Sequence, residues 1–163
     1  MKIAITGHTS GIGQALAEAY YGNEIVGLSK REGNNIRNIP KIASLIEPCD
    51  VFINNAQEGF AQTELLFEVT RRWSNTDKHI IVISTMMTQQ PVSVLEGMDE
   101  YRLQKVVLEQ AVQQLRFKYP SGPKITTVRP GKVDDPTEWA RTLVKLFNTA
   151  KANGFAIPDI SLR

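Results

Sequence analysis

Apolar residues in this chain fall into short unbroken runs separated by longer segments in which they recur every three or four positions. Ile3-Ala4-Ile5, Glu24 to Ser29, Val51-Phe52-Ile53, His79 to Ile83 and Lys124 to Val128 have the length and content of strands. Ile12, Leu16, Ala19 and Tyr20 mark one face of a helix from about Ser10 to Tyr21, which Gly22-Asn23 ends. Gly33-Asn34-Asn35 is a turn signal, and Ile36 to Ile39 reads as a short edge strand. Pro40 then opens a short helix that carries Ile42, Leu45 and Ile46 inward, and Pro48 stops it. Leu65, Leu66, Val69 and Trp73 share a face of the next helix. A loop from Ser84-Thr85 to about Gly97 leads to a long helix, roughly Asp99 to Tyr119, with Leu103, Val107, Ala111 and Leu115 in register. Pro136 starts the last helix, in which Trp139, Leu143, Leu146, Phe147 and Ala150 are expected to pack. Phe155 to Ile157 and Ile160 to Leu162, interrupted by Pro158-Asp159, read as a final strand.

Strands that alternate with helices throughout predict right-handed βαβ units and a parallel sheet covered on both faces. The fold class is therefore α/β, a minimal Rossmann-type doubly wound sheet in three α/β/α layers, as one domain over residues 1–163. Composition adds mainly exclusions. With 42% hydrophobic and 22% charged residues the chain is an ordinary globular one, and a formal charge of +2 with scattered cations argues against nucleic acid. The single cysteine, Cys49, excludes an internal disulfide and is expected to be a packed thiol. His8 and His79 have no ligand partners at metal-site spacing, so no metal is expected. Met1-Lys2 leads directly into the first short apolar run, and no apolar stretch reaches membrane-spanning length. A soluble cytoplasmic protein that does not engage membrane is the expectation.

The chemistry lies where the strands end. Thr6-Gly7-His8-Thr9-Ser10-Gly11-Ile12-Gly13 joins the first strand to the first helix. Glycines in such a turn let the backbone approach a dinucleotide phosphate, and the N–H groups at the helix start face its charge. Ser29 with Lys30-Arg31, Asn54-Asn55-Ala56, Ser84 and Pro130-Gly131 also directly follow strands. All therefore line one edge of the sheet, where ligands of open α/β folds bind. Tyr101 and Lys105 are four apart on the long helix and share a face, so a lysine ammonium beside the phenol would lower its pKa and fit it for proton transfer. Ser84 would hold the same substrate oxygen.

In this order the motifs resemble those of the classical short-chain dehydrogenases/reductases, of which this would be an unusually short member. The glycine loop matches that family's cofactor motif, Asn54-Asn55-Ala56 its Asn-Asn-Ala-Gly motif, Ser84 its catalytic serine, Tyr101 and Lys105 its Tyr-x-x-x-Lys pair, and Pro130-Gly131 its Pro-Gly turn beside the nicotinamide. The resemblance implies hydride transfer between a nicotinamide and a small carbonyl or alcohol. Tyr101 would be the acid or base, Lys105 would also touch the ribose, and Ser84 would orient the substrate. The second strand ends in Ser29-Lys30-Arg31 with no acid until Glu32, which suits a 2′-phosphate and predicts NADP(H) over NAD(H).

The chain also departs from the family. Gln57 replaces a glycine, no asparagine lies between Ala56 and Trp73, and either Gln57 or Gln62 is left to stand in for the one that supports proton relay. The helix after the second strand is missing, leaving only Glu32 to Asn35; no lid follows Gly131; and the gap from Ser84 to Tyr101 is slightly long. The losses fall on the substrate side. They keep open a cofactor-binding module without turnover, acting as redox sensor or scaffold, and an epimerase- or dehydratase-like enzyme. The helices containing Leu66 and Tyr101 form the surface through which relatives dimerise, and they are the candidate for a homo-oligomer here.

Overall fold

The apolar runs pair side by side, because a strand buried on both faces must satisfy its backbone N–H and C=O groups against other strands. In the computed structural model, which describes residues 1–91 and 97–162, the elements alternate as expected. They are β1 (Lys2–Thr6), α1 (Gly11–Ala19), β2 (Glu24–Leu28), α2 (Ile39–Ile46), β3 (Val51–Asn54), α3 (Ala61–Arg72), β4 (His79–Ile83), α4 (Asp99–Lys118), β5 (Lys124–Pro130), α5 (Pro136–Ala152) and β6 (Asp159–Leu162). They build a six-stranded sheet in the order β2-β1-β3-β4-β5-β6, and every pairing is parallel.

Alternation along the strands divides the interior in two. Ala4, Phe52, Ile80 and Val82 point to one side, where Ile42, Leu65, Trp73, Leu108 and Val112 from α2, α3 and α4 meet them. Ile3, Ile5, Ile53, Ile81 and Ile83 point to the other, against Leu16 of α1 and Trp139 and Leu143 of α5. Cys49 is fully enclosed, as expected of a packed thiol.

Four expectations are corrected. Ile36 to Ile39 is not a strand. The Asn35 side chain accepts from the Arg37 N–H at 2.9 Å and Asn38 caps α2, so the chain turns at once into helix and Ile36 becomes a plug in the α2–α3 core. The buried face of α4 is not set by Leu103 and Val107, which are 54% and 36% exposed; Gln104, Lys105, Leu108, Ala111, Val112 and Leu115 face inward instead. In the same way Leu45 and Leu146 lie outside the core. At the C-terminal end only Asp159–Leu162 pairs with β5, whereas Phe155 is exposed. Pro158 has no N–H for a ladder, and its carbonyl instead accepts from Thr127 N at 2.8 Å. Between Leu28 and α2 there is a single 3₁₀ turn, Lys30–Glu32, but α2 itself is a helix that follows β2, so the expected loss of that helix is not seen. After Gly131 a short loop leads directly to α5, as expected. Residues 92–96 of the loop expected to run to Gly97 lie outside the described residues.

The packing makes a direct test on α5, where sequence periodicity placed both leucines inside. Leu143→Ala should lower unfolding free energy by about 2–4 kcal/mol and Leu146→Ala by less than about 1 kcal/mol. Urea denaturation measures both, and equal costs would contradict this helix register.

Candidate active site

The strand order reverses direction between β1 and β3: α1 leaves β1 toward one face and α3 leaves β3 toward the other. Such a switch point opens a crevice at the carboxyl ends of the two strands. The glycine loop sits there. Gly7 (φ +71) and Gly11 (φ +53) adopt left-handed backbone, and a Cβ on Gly13 would stand 2.1 Å from the Gly7 carbonyl oxygen. Gly11 faces open space, with nothing within 4 Å of the position a Cβ would take. Ser10 makes no side-chain cap bond and the first turn of α1 carries no acid, so the helix N-terminus presents its N–H groups and positive dipole end to the crevice. A cleft of about 350 Å³ continues from Gly7 and Thr9 to Ser29, Lys30 and Arg31, with Ala56, Gln57 and Glu58 on the opposite wall. Cradle, dipole and cleft together fit the pyrophosphate and adenosine half of a dinucleotide.

Two residues expected to touch that ligand do not face it. Thr6 and Asn54 are fully enclosed. The Thr6 hydroxyl accepts from the N–H groups of Asn55 and Ala56 at 3.0 Å each, and the Asn55 side chain donates to Thr6 O at 3.0 Å. The Asn54 side chain donates to Gln62 O at 3.0 Å. Thr6 and Asn55 thus clamp the β1 and β3 ends together, and Asn54 ties β3 to α3, so these residues shape the crevice. At the end of β2 the Ser29 hydroxyl donates to Glu32 at 3.0 Å, and the Glu32 carboxylate lies 3.4 Å from His8 Nε2, whose ring packs over Gly27. The 3₁₀ turn thus returns an acid to a strand end that lacks one in sequence.

Tyr101 and Lys105 share the inner face at the start of α4. Lys105 is buried, donating to Ile83 O at 2.9 Å and to Gln62 Oε1 at 2.8 Å. Gln62 in turn donates to Asn54 O at 2.7 Å. Gln62, not Gln57, therefore reaches the lysine. Gln57 bonds to Gln104, which also donates to Glu100 at 3.0 Å, and so links the cleft wall to α4. Burial lowers the Lys105 pKa to about 8, against the opposing pull of Glu109. The Lys105 ammonium lies 5.6 Å from the Tyr101 ring centroid. Burial raises the Tyr101 pKa, and the Thr85 hydroxyl acts in the opposite direction.

The serine is the main correction. Ser84 continues the alternation of Ile80 and Val82, so its hydroxyl turns toward α4 and donates to Glu109 at 2.5 Å. Glu109 also accepts from Thr88 Oγ1 at 2.9 Å and from both Nε and Nη2 of Arg129. Thr85, one residue on, is the hydroxyl beside Tyr101. The signal in the sequence was the long gap between Ser84 and Tyr101, which Thr85 shortens. Pro130 and Gly131 close the same edge, with Gly131 N donating to Leu162 O at 2.8 Å and Ser84 N to Val128 O at 2.8 Å. Among the described residues no group of three or more His, Cys, Asp or Glu could hold a metal ion, and no described helix is long and apolar enough to cross a membrane.

The buried ammonium predicts a pH dependence. Folded Lys105 loses its proton near 8 and unfolded lysine near 10.5, so the unfolded state binds more protons between these values. The cost of burying the charge is full below pH 8 and is relieved as pH rises. Stability of the wild type relative to Lys105→Met should therefore increase from pH 8 to 10 in denaturant melts; a flat difference would contradict a depressed pKa.

By sequence, no protein-family model matches the chain and no curated protein matches it significantly. By structure, many solved chains do. Serine dehydrogenase from Escherichia coli superposes with a TM-score of 0.79 at 18% identity, covering 99% of this chain and 97% of that one. A short-chain dehydrogenase from Streptomyces avermitilis gives 0.78 at 18% identity, covering 99% and 88%. An alcohol dehydrogenase from the archaeon Thermococcus sibiricus, complexed with 5-hydroxy-NADP, gives 0.77 at 16% identity, covering 99% and 95%. The chain has the fold of the short-chain dehydrogenases/reductases.

Proposed function

We propose that this protein is an NADP(H)-dependent oxidoreductase that interconverts a small carbonyl compound and its alcohol, with Tyr101 as acid and base. The observation that carries the reading is the convergence of the Tyr101 phenol, the Thr85 hydroxyl and the Lys105 ammonium at the edge of β4, beside a glycine-lined crevice. The similarity in fold to dehydrogenases, one of them complexed with 5-hydroxy-NADP, supports it.

A bound nicotinamide would supply or accept the hydride at the substrate carbon. Gly7, Thr9, Ser10, Gly11, Ile12 and Gly13 would hold its pyrophosphate, and Lys30 and Arg31 the 2′-phosphate. During reduction Tyr101 gives its phenolic proton to the substrate oxygen, which the Thr85 hydroxyl holds in place. The phenolate so formed is a charge in a half-buried site, and the Lys105 ammonium stabilises it. Two of the lysine's three N–H groups are engaged by Ile83 O and Gln62, leaving the third for that oxygen or for a ribose hydroxyl. In the oxidative direction the proton returns by the same route. Short connections after Gly131 leave the substrate side open, which suits small or varied substrates. The outer faces of α3 and α4, with Phe67, Leu103 and Val107 exposed, are the proposed contact for a second copy.

A second reading has its own observation. Burial raises the Tyr101 pKa and the lysine is turned onto Ile83 and Gln62, the arrangement of a site that binds a dinucleotide without turnover. Consumption of NADPH with a panel of small carbonyl compounds separates the two. Tyr101→Phe should lower kcat by about 10²–10⁴-fold, Thr85→Val by about tenfold or more, and Ser84→Ala much less than either. Unchanged turnover in Tyr101→Phe would defeat the proposed chemistry, and tight NADPH binding without turnover on any compound would favour the binding module.

A further inference from the structure

We propose that Glu58 is a counter-charge built into the 2′-phosphate end of the cleft, lowering affinity for the phosphorylated dinucleotide and so narrowing the choice between NADP(H) and NAD(H). The proposal rests on the reading of this cleft as a nicotinamide-dinucleotide site. Glu58 follows Asn54-Asn55-Ala56 on the β3 side of the crevice and lines the cleft opposite Ser29, Lys30 and Arg31. Its carboxylate oxygen Oε1 lies 3.2 Å from Lys30 Nζ and 3.0 Å from Arg37 Nε, so one acid holds a cation of the opposite wall and a second that follows the lining residue Ile36. Both cations are largely exposed, with 72% and 67% of their side-chain surface open to solvent, whereas the Glu58 side chain is only 25% exposed. The acid is the fixed member of the group, set by a turn in which Ala61 N donates to Glu58 O at 3.1 Å.

A ribose 2′-phosphate carries close to two negative charges and seeks the N–H donors that Glu58 already engages. Exposed ion pairs are weak, so the phosphate can draw Lys30 and Arg37 away. The carboxylate remains in the wall and repels it at short range. A 2′-hydroxyl meets the opposite situation, since it is neutral and can donate to that carboxylate. Glu58 thus opposes the phosphate preference that Lys30 and Arg31 create, and it does so from a loop 28 residues further along the chain than Lys30. Arg37, absent from any strand end, becomes a third cation of the phosphate site once the acid is neutralised.

Dissociation constants for NADPH and NADH, measured calorimetrically on wild type, Glu58→Gln and Glu58→Asp, test this. Glu58→Gln should tighten NADPH by about fivefold or more, an effect that shrinks at high salt, while NADH stays within about twofold or weakens. Glu58→Asp, which keeps the charge, should retain most of the wild-type ratio. An unchanged ratio in Glu58→Gln, or weaker NADPH binding because the acid was positioning the cations, would overturn the proposal while leaving the cofactor reading intact. Wild type that binds neither dinucleotide would overturn both.

Discussion

An ammonium buried at the carboxyl edge of a parallel sheet governs how this molecule is arranged. A charge removed from water is tolerated only if its N–H groups find acceptors. Lys105 finds them in Ile83 O at the end of β4 and in Gln62 at the start of α3, and Gln62 returns its own donors to Asn54 O and Ile83 O. One side chain therefore ties α4, β4, α3 and β3 together. Its need for acceptors explains why the first turns of α4 bury Gln104 and Lys105 where an apolar stripe would be expected, with Leu108, Val112 and Leu115 taking over further along. Tyr101, one turn earlier, is carried to the same inner face as Lys105 by that rotation.

A second polar network stiffens the neighbouring wall. Glu109 collects Ser84, Thr88 and Arg129, and Arg129 also reaches Asp159, so α4, the end of β4, β5 and β6 are joined through the Glu109–Arg129 pair. Glu109 and Arg129 are almost enclosed, and removing either partner would strand a charge. Arg116 adds a second tether to the C-terminal strand through Asp159, Ile125 O and Pro158 O. Among the described residues a short loop alone joins Gly131 to α5, and this network braces the adjoining wall. Ser84 belongs to that wall through its bond to Glu109.

What could be read from the chain and what could not divide along physical lines. The sheet, the glycine loop and the grouping of polar residues at strand ends were legible because each depends on local periodicity or on which residue follows a strand. The choice between Ser84 and Thr85 was not, since adjacent hydroxyls on extended backbone face opposite ways and only the direction of β4 decides between them. The face of α4 was misread because periodicity assigns apolar residues to the core and has no means of weighing a buried lysine with partners 22 and 43 residues away. Ile36 looked like a strand because its turn chemistry, Asn35 and Asn38 bonding their own backbone, competes with extended structure over very few residues. Glu58 and its partner Arg37 carry no sequence signal at all; the place of Glu58 at the cleft, and with it the pair, exists only once β1, β2 and β3 lie side by side.

The reaction proposed for the lysine, the phenol and the glycine-lined crevice is transfer of a hydride to a carbonyl carbon. That transfer is followed most directly by supplying NADPH deuterated at the transferring position of the nicotinamide with a carbonyl substrate and examining the product by mass spectrometry. Hydride transfer at this site predicts an alcohol with one deuterium on the carbinol carbon, formed by wild type and about 10²-fold or more slowly by Tyr101→Phe. Alcohol without the label, or labelled alcohol formed by Tyr101→Phe at the wild-type rate, would contradict it.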